Sequence, residues 1–388
     1  MQATSRWIVP GLTWALLAAA SAAQAAAPVA AAASAPTPAG GALAARLAEP
    51  LARAALTQRV VGRGALLGLA QAGQRVVAVG ERGSVLLSDD AGRTWRQAPQ
   101  VPVSVTLTAV QFVDERSGWA IGHQGVVLRS DDGGERWVRQ LDGAAAARLA
   151  LAELQALPAP TPKALADARR AVQEGADKPL LALHFSNARE GLVIGAFGLM
   201  LSTGDGGRTW QSIATRLDNP KGAHLYALHR QGDSLLVAGE QGGVWHSGDG
   251  GRRFERLATP YQGSWFTVAH DAAGDRGSGW LVAGLRGNVL RSADAGRSWT
   301  ALANPAPVSV TSVLPEPGGT LWLANQAGHL MIPGTDSLRM AASTTAQQPA
   351  ALLRLSDGSL LIAGWSGITR IDAATLKTAQ AAARKTTP

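Results

Sequence analysis

The sequence predicts an all-β fold, a seven-bladed β-propeller with a helical hairpin inserted between blades two and three. Three observations predict it. An eight-residue phrase returns five times: Ser88-Asp89-Asp90-Ala91-Gly92-Arg93-Thr94-Trp95, then Ser130 to Trp137, Thr203 to Trp210, Ser247 to Phe254 and Ser292 to Trp299. Its third-position aspartates, Asp90, Asp132, Asp205, Asp249 and Asp294, are spaced by 42, 73, 44 and 45 residues. A period in the low forties is one four-stranded blade, and the long gap is one period plus about 30 residues. A second signature, Gly-x-x-Gly between apolar runs, begins at Gly80, Gly122, Gly195, Gly239 and Gly284 and recurs more weakly at 325–328 and 364–367, giving seven units.

Taken in chain order, residues 1–25 have the pattern of a secretory signal peptide: Arg6, an apolar core from Leu12 to Ala20, and the small-residue site Ala23-Gln24-Ala25. An uncleaved anchor is the alternative. Residues 26–48 are an Ala/Pro-rich spacer without periodicity. The propeller is expected over 49–380, and 381–388 is a tail. Blade two shows the pattern. Leu107 to Val113 alternates and is strand A; Asp114 to Gly118 is a turn; Trp119 to Gly122 is strand B. His123-Gln124 is a two-residue hairpin tip, with Gly125 free to take a positive φ. Val126 to Ser130 is strand C, and Trp137 opens strand D. The aspartate phrase therefore falls on the C–D turn. Its carboxylate can accept backbone N–H groups of its own turn, and its aromatic can wedge between blades. On this reading Asp90, Trp95, Asp132, Trp137, Asp205, Trp210, Asp249, Phe254, Asp294 and Trp299 are structural. The insertion, 143–178, holds two helix-forming stretches, Ala144 to Leu157 and Lys163 to Glu174, separated by Pro158-Ala159-Pro160-Thr161-Pro162. It is either a lid on its own propeller or an arm for a partner. A strand near Leu56 to Val61, or residues 375–380, would close the last blade.

The repeated phrase is the Asp-box, or bacterial neuraminidase repeat. The full unit, from Ala78-Val79-Gly80-Glu81-Arg82-Gly83 into Ser88-Asp89-Asp90, resembles the photosystem II stability and assembly factor family of seven-bladed propellers over about residues 60–370. The resemblance implies a non-catalytic protein that helps assemble a membrane complex, or, in a heterotroph, one associated with a membrane exporter. The insertion and the two C-terminal units without the box depart from the pattern.

No catalytic constellation emerges. The seven histidines are scattered, and none pairs at metalloprotease spacing. There is no Gly-x-Ser-x-Gly elbow and no phosphate-binding loop, and Gly62-x-Gly64-x-x-x-Gly68 misses the dinucleotide spacing. Adjacent carboxylates such as Asp89-Asp90 point apart and do not face one substrate. A sialidase or related carbohydrate-active protein is the rival reading through the box. The chain has no Arg-Ile-Pro, and its tyrosines are Tyr226 and Tyr261. Cysteine is absent, so there is no disulfide and no thiolate metal site; no metal and no cofactor is expected. The net charge of +8 favours anionic lipid or acidic protein surfaces. No nucleic-acid-binding motif appears. The expectation is a monomeric periplasmic protein, with a membrane-protein complex or exporter subunit as partner.

In a propeller the B–C turns and D–A connections share one face, here called the front; the A–B and C–D turns share the back. The front tips carry Arg82, His123, Gln124, Phe197, Gln241, Arg286 and Trp365. The connection Pro260 to Phe266 adds Tyr261 and Trp265. Aromatic and Arg side chains are enriched in interface cores, so these nine residues are the candidate partner contacts. The alternatives are that the tips plug the channel and that Trp265 packs in the core.

Overall fold

The computed structural model describes residues 49–272 and 279–385. Seven antiparallel sheets follow one another along the chain, each a meander paired in sequence order. Blades one to six have four strands and blade seven has three. Strand B reads as an unbroken apolar run because neighbouring blades cover both faces of every sheet. Gly118–Gly122, Leu321–Asn325 and Leu360–Gly364 are buried at every position. The outermost strands are only two residues long in blades one, three, four and five, at Arg96–Gln97, Gln211–Ser212, Glu255–Arg256 and Thr300–Ala301. Short, polar outer strands blunt the sheet edges against further pairing.

The core lies between blades. Trp119 of blade two stacks on Phe185 of blade three, centroids 3.7 Å apart and planes at 7°. Its indole donates to Gly206 O of the blade-three Asp-box. Polar ties run in the same direction. Thr108 Oγ1 donates to Leu180 O (2.7 Å), and Gln111 pairs through both amide atoms with the Phe185 backbone. The ring closes where Leu66 and Leu86 of blade one meet Ala363 and Ile368 of blade seven, with Arg370 Nε donating to Ala91 O.

Among the described residues no fourth strand joins blade seven. Residues 56–61 form no strand, and 375–380 lie in a helix, Ala373–Lys385. Leu376 of that helix is buried against Trp322, Leu330 and Ile362. Neither expected closure is formed: the C-terminal stretch is instead a helix packed on the outer strand of blade six, Leu338–Ser343, and a boundary at 380 falls inside it. Alanine supplies the reason: 373–385 is rich in the residue of highest helix propensity and lacks the β-branched runs of a strand.

The tips also differ from a two-residue hairpin. In blade two Gly122 N donates to Val126 O, closing a three-residue turn, His123–Gly125. Gln124 and Gly125 are both left-handed, φ 56° and 66°. The first glycine of the signature is there for space: a β-carbon on Gly122 would sit 2.3 Å from Thr106 O.

Candidate functional site on the front face

The back face is self-satisfied. In blade one Asp90 Oδ1 accepts from Ser88 Oγ (2.8 Å), Arg93 N (3.0 Å) and Thr94 N (2.8 Å), while Oδ2 accepts from Thr94 Oγ1 (2.6 Å). Ser88 Oγ also accepts from Gly92 N, and Trp95 Nε1 donates to Gly92 O. The hydroxyl of Thr209, then its N–H, holds the Asp205 carboxyl at about 2, below its ordinary range. Such carboxylates are committed to the N–H and hydroxyl groups of their own turn.

The front is built differently. Five tips place a non-glycine residue in the left-handed region: Arg82, Gln124, Phe197, Gln241 and Arg286, all at φ 54–57°. Asn or Gly would fit this position with less strain, and a bulky residue there costs about 1–2 kcal/mol. Phe197 is the extreme case, and it is 55% exposed.

The inner strands add a second device. Each of blades one to six has a bulge at the front end of strand A, where pairing skips one residue. In blades two and six the extra residue is Thr108 or Thr311, whose hydroxyl donates to a carbonyl of the next blade. In blades four and five it is aromatic, Tyr226 and Phe266. A bulge re-aims a side chain away from the regular alternation. The result is a continuous row of rings across three blades. Phe197 lies 4.7 Å from His224, His224 lies 6.1 Å from Tyr226, and Tyr226 lies 5.5 Å from Phe266.

Glu240 fixes the middle of the row. Its Oε1 accepts from Tyr226 Oη (3.0 Å) and its Oε2 from His224 N (3.0 Å). Burial, then the Glu240 charge, pushes the Tyr226 phenol well above its usual range, so it stays a donor. At the other end Lys178 Nζ sits 5.0 Å from the Phe197 centroid, within cation–π range. Burial opposes its charge, but Asp177 and Glu174 outweigh that and raise its pKa.

Lys178 connects the row to the insertion. Helix α1 (Gly143–Gln155) is capped by Asp142, which accepts from Ala145 N, and α2 (Pro162–Glu174) by Thr161, which accepts from Ala164 N. The α1 helix packs on the propeller, burying Ala146 and Ala147. The Glu153 carboxylate there accepts from Ser212 Oγ, Thr215 Oγ1 and Thr215 N. The α2 helix packs on α1 and has no buried residue. The insertion is thus anchored by one helix, presents the other outward, and touches the aromatic row through Glu174 and Lys178.

The nine candidate contacts divide. Arg82, Phe197, Gln241, Arg286 and Trp365 are exposed. His123 and Gln124 are half-buried, because α1 begins against their turn: a β-carbon on Gly143 would lie 2.9 Å from Gln124 O. Trp265 is fully buried between blades four and five, so it is a core residue and not a surface contact. The bulge puts Trp265 inward and Phe266 outward. Tyr261 is half-buried, edge-on to Trp265 at 5.2 Å, and donates to Leu285 O. Of the other residues here, sequence reading places Glu240 on a front tip and His224 and Phe266 on front connections, but singles out neither Tyr226 nor Lys178 as a contact. Among the described residues no group of His, Asp and Glu is placed to hold a metal ion. No helix among them is long and apolar enough to cross a membrane.

The family model for "Photosynthesis system II assembly factor YCF48" matches residues 54–131 and 161–331. The chain belongs to that family. The unmatched stretch between the two parts includes all of α1, so the anchoring helix of the insertion lies outside the shared pattern. No curated protein matches the sequence. Among solved structures, a YCF48 bound to a D1 peptide superposes with a TM-score of 0.59 at 16% identity, covering 81% of this chain and 97% of that one. YCF48 from Cyanidioschyzon merolae gives 0.58 at 15%, with the same coverages. The WD40 propeller domain of Doa1 gives 0.56 at 11%, covering 83% of this chain and 95% of that one. These likenesses show the propeller fold.

Proposed function

We propose that this chain is a non-catalytic, exported assembly factor whose front face holds an extended polypeptide segment of a membrane-protein complex. The observation that carries the reading is the row Phe197–His224–Tyr226–Phe266, braced by Glu240 and reached by the helical insertion through Lys178. Rings on three adjacent blades offer apolar and edge contacts to successive side chains, and a strained exposed Phe is a suitable anchor. Family membership supports the assembly role, and a YCF48 with a bound D1 peptide makes a peptide ligand the natural first choice. In a host without photosystems the same site would serve a subunit of another membrane complex, such as an exporter. The periplasm is the compartment that the N-terminal sequence suggests.

Crosslinking in the native host with a C-terminally tagged chain tests this. One membrane complex should co-purify, and Phe197→Ala should reduce its recovery about 30-fold, the factor for a hot-spot aromatic of ~2 kcal/mol. Equal recovery by the variant would move the contact elsewhere. A chain that captured no membrane protein and bound on a glycan array would sink the reading.

A further inference from the structure

The segment ahead of blade one forms a second surface on the front face, away from the aromatic row. Residues 49–65 are laid across the fronts of blades two, one and seven. Arg139 Nη1 donates to Leu51 O, Ser104 N to Pro50 O, and Ala55 N to Val101 O. Leu56 N donates to Arg82 O, and Gln58 Nε2 to Ser84 Oγ. At its end Gly62 lies against the blade-seven tip, so that a β-carbon on Gly367 would meet Gly62 O at 2.1 Å. With the backbone so fixed, Leu56, Val60 and Val61 face outward, 39%, 58% and 39% exposed, beside the 41% exposed Trp365.

Between Glu49 and Glu81 every charge is positive. Arg59, Arg63 and Arg82 are exposed. Connections 98–106 and 343–350, which flank this part of the front, contain no charged residue. Glu81 is the one acid of the blade-one and blade-seven tips, half-buried beside Gly64. We infer that this sector, formed by Leu56, Arg59, Val60, Val61, Arg63, Arg82 and Trp365, docks on an anionic lipid bilayer. Aliphatic side chains and an indole enter the headgroup boundary while guanidinium groups remain among the phosphates. Each Arg at such a surface adds attraction that salt screens. A protein partner would need carboxylates matched to each Arg, whereas a lipid surface supplies phosphate at any register. The inference stands apart from the peptide site and places that site at the membrane where its partner resides.

Co-sedimentation of the full chain with phosphatidylcholine vesicles, with and without phosphatidylglycerol, decides it. Binding should require phosphatidylglycerol and fall with added salt. Val60→Asp/Val61→Asp and Arg59→Glu/Arg63→Glu should each weaken it about 10-fold or more, and Phe197→Ala should leave it unchanged. All versions carry the same N-terminal residues, so the apolar stretch upstream contributes equally. The four altered side chains are exposed, and an unchanged thermal transition confirms the fold of each variant. Failure of the parent to sediment with anionic vesicles overturns the inference, as does sedimentation of both double variants like the parent.

Discussion

The two faces of this propeller are made from the same seven repeats and do opposite things with them. On the back, each Asp-box turn spends its carboxylate and hydroxyl on itself, as at Asp90 and Ser88, and in blades one and two the indoles of Trp95 and Trp137 do the same. On the front, the tips keep Phe197, Gln241 and Arg286 in left-handed conformations with their side chains exposed. A turn that satisfies its own polar groups adds stability and offers nothing to a ligand. A turn that holds an unfavourable conformation in order to present a ring gives up stability for contact. The difference explains why the most repetitive residues of the chain are not its site.

Three changes would break or sharpen that contrast. The largest is a pH effect at the back end of the channel. Burial, reinforced by His184 and His270, lowers the His229 pKa to about 4. The unfolded chain therefore binds a proton near its ordinary 6.5 that the folded chain refuses until about 4. Stability is fully present above 6.5 and declines as pH falls between those values, by up to about 3 kcal/mol for this group. Urea titrations at pH 7.5 and 4.5 check it, and His229→Gln should flatten the dependence; an unchanged dependence would remove His229 as its source. Next comes the box. Ser130 is buried, its Oγ donating to Asp132 and accepting from Gly134 N. Ser130→Ala leaves that N–H unpaired and should cost about 2 kcal/mol in denaturant titrations. It should not alter partner capture. The smallest effect has the opposite sign. Phe197→Gly relieves the left-handed strain and should stabilise the fold by about 1 kcal/mol while reducing capture about 30-fold, as Phe197→Ala does. A destabilised variant would mean that Phe197 contributes packing and that the front is no different from the back.

Most of the fold was legible because a blade announces itself locally. The Gly-x-x-Gly tip, the Asp-box and the apolar strands are contiguous, and their period gave seven units and an insertion. The helical hairpin was legible too, from two helix-forming stretches with a proline break, while its caps at Asp142 and Thr161 emerged with the structure. Closure was not, since the C-terminal stretch forms a helix that docks through Leu376 between blades six and seven and packs on Leu338–Ser343, partly through residues such as Trp322 and Leu330 more than forty positions away. The site was half legible. Phe197 stood out as an aromatic at a turn where Asn or Gly would be expected. Tyr226 and Phe266 did not, because strict alternation gives no sign of a bulge, and the same alternation left the direction of Trp265 open.

The amino-acid sequence by itself determined the repeat, the insertion and the chemistry of each turn, since these depend on residues within one blade. Only the tertiary structure decided which side chains meet. Propeller closure sets the front ends of successive inner strands side by side, although Phe197, Tyr226 and Phe266 are separated by roughly one repeat or less in the chain. The bulge then chooses which neighbour in each pair, Leu225 or Tyr226, Trp265 or Phe266, goes to the core and which joins the row.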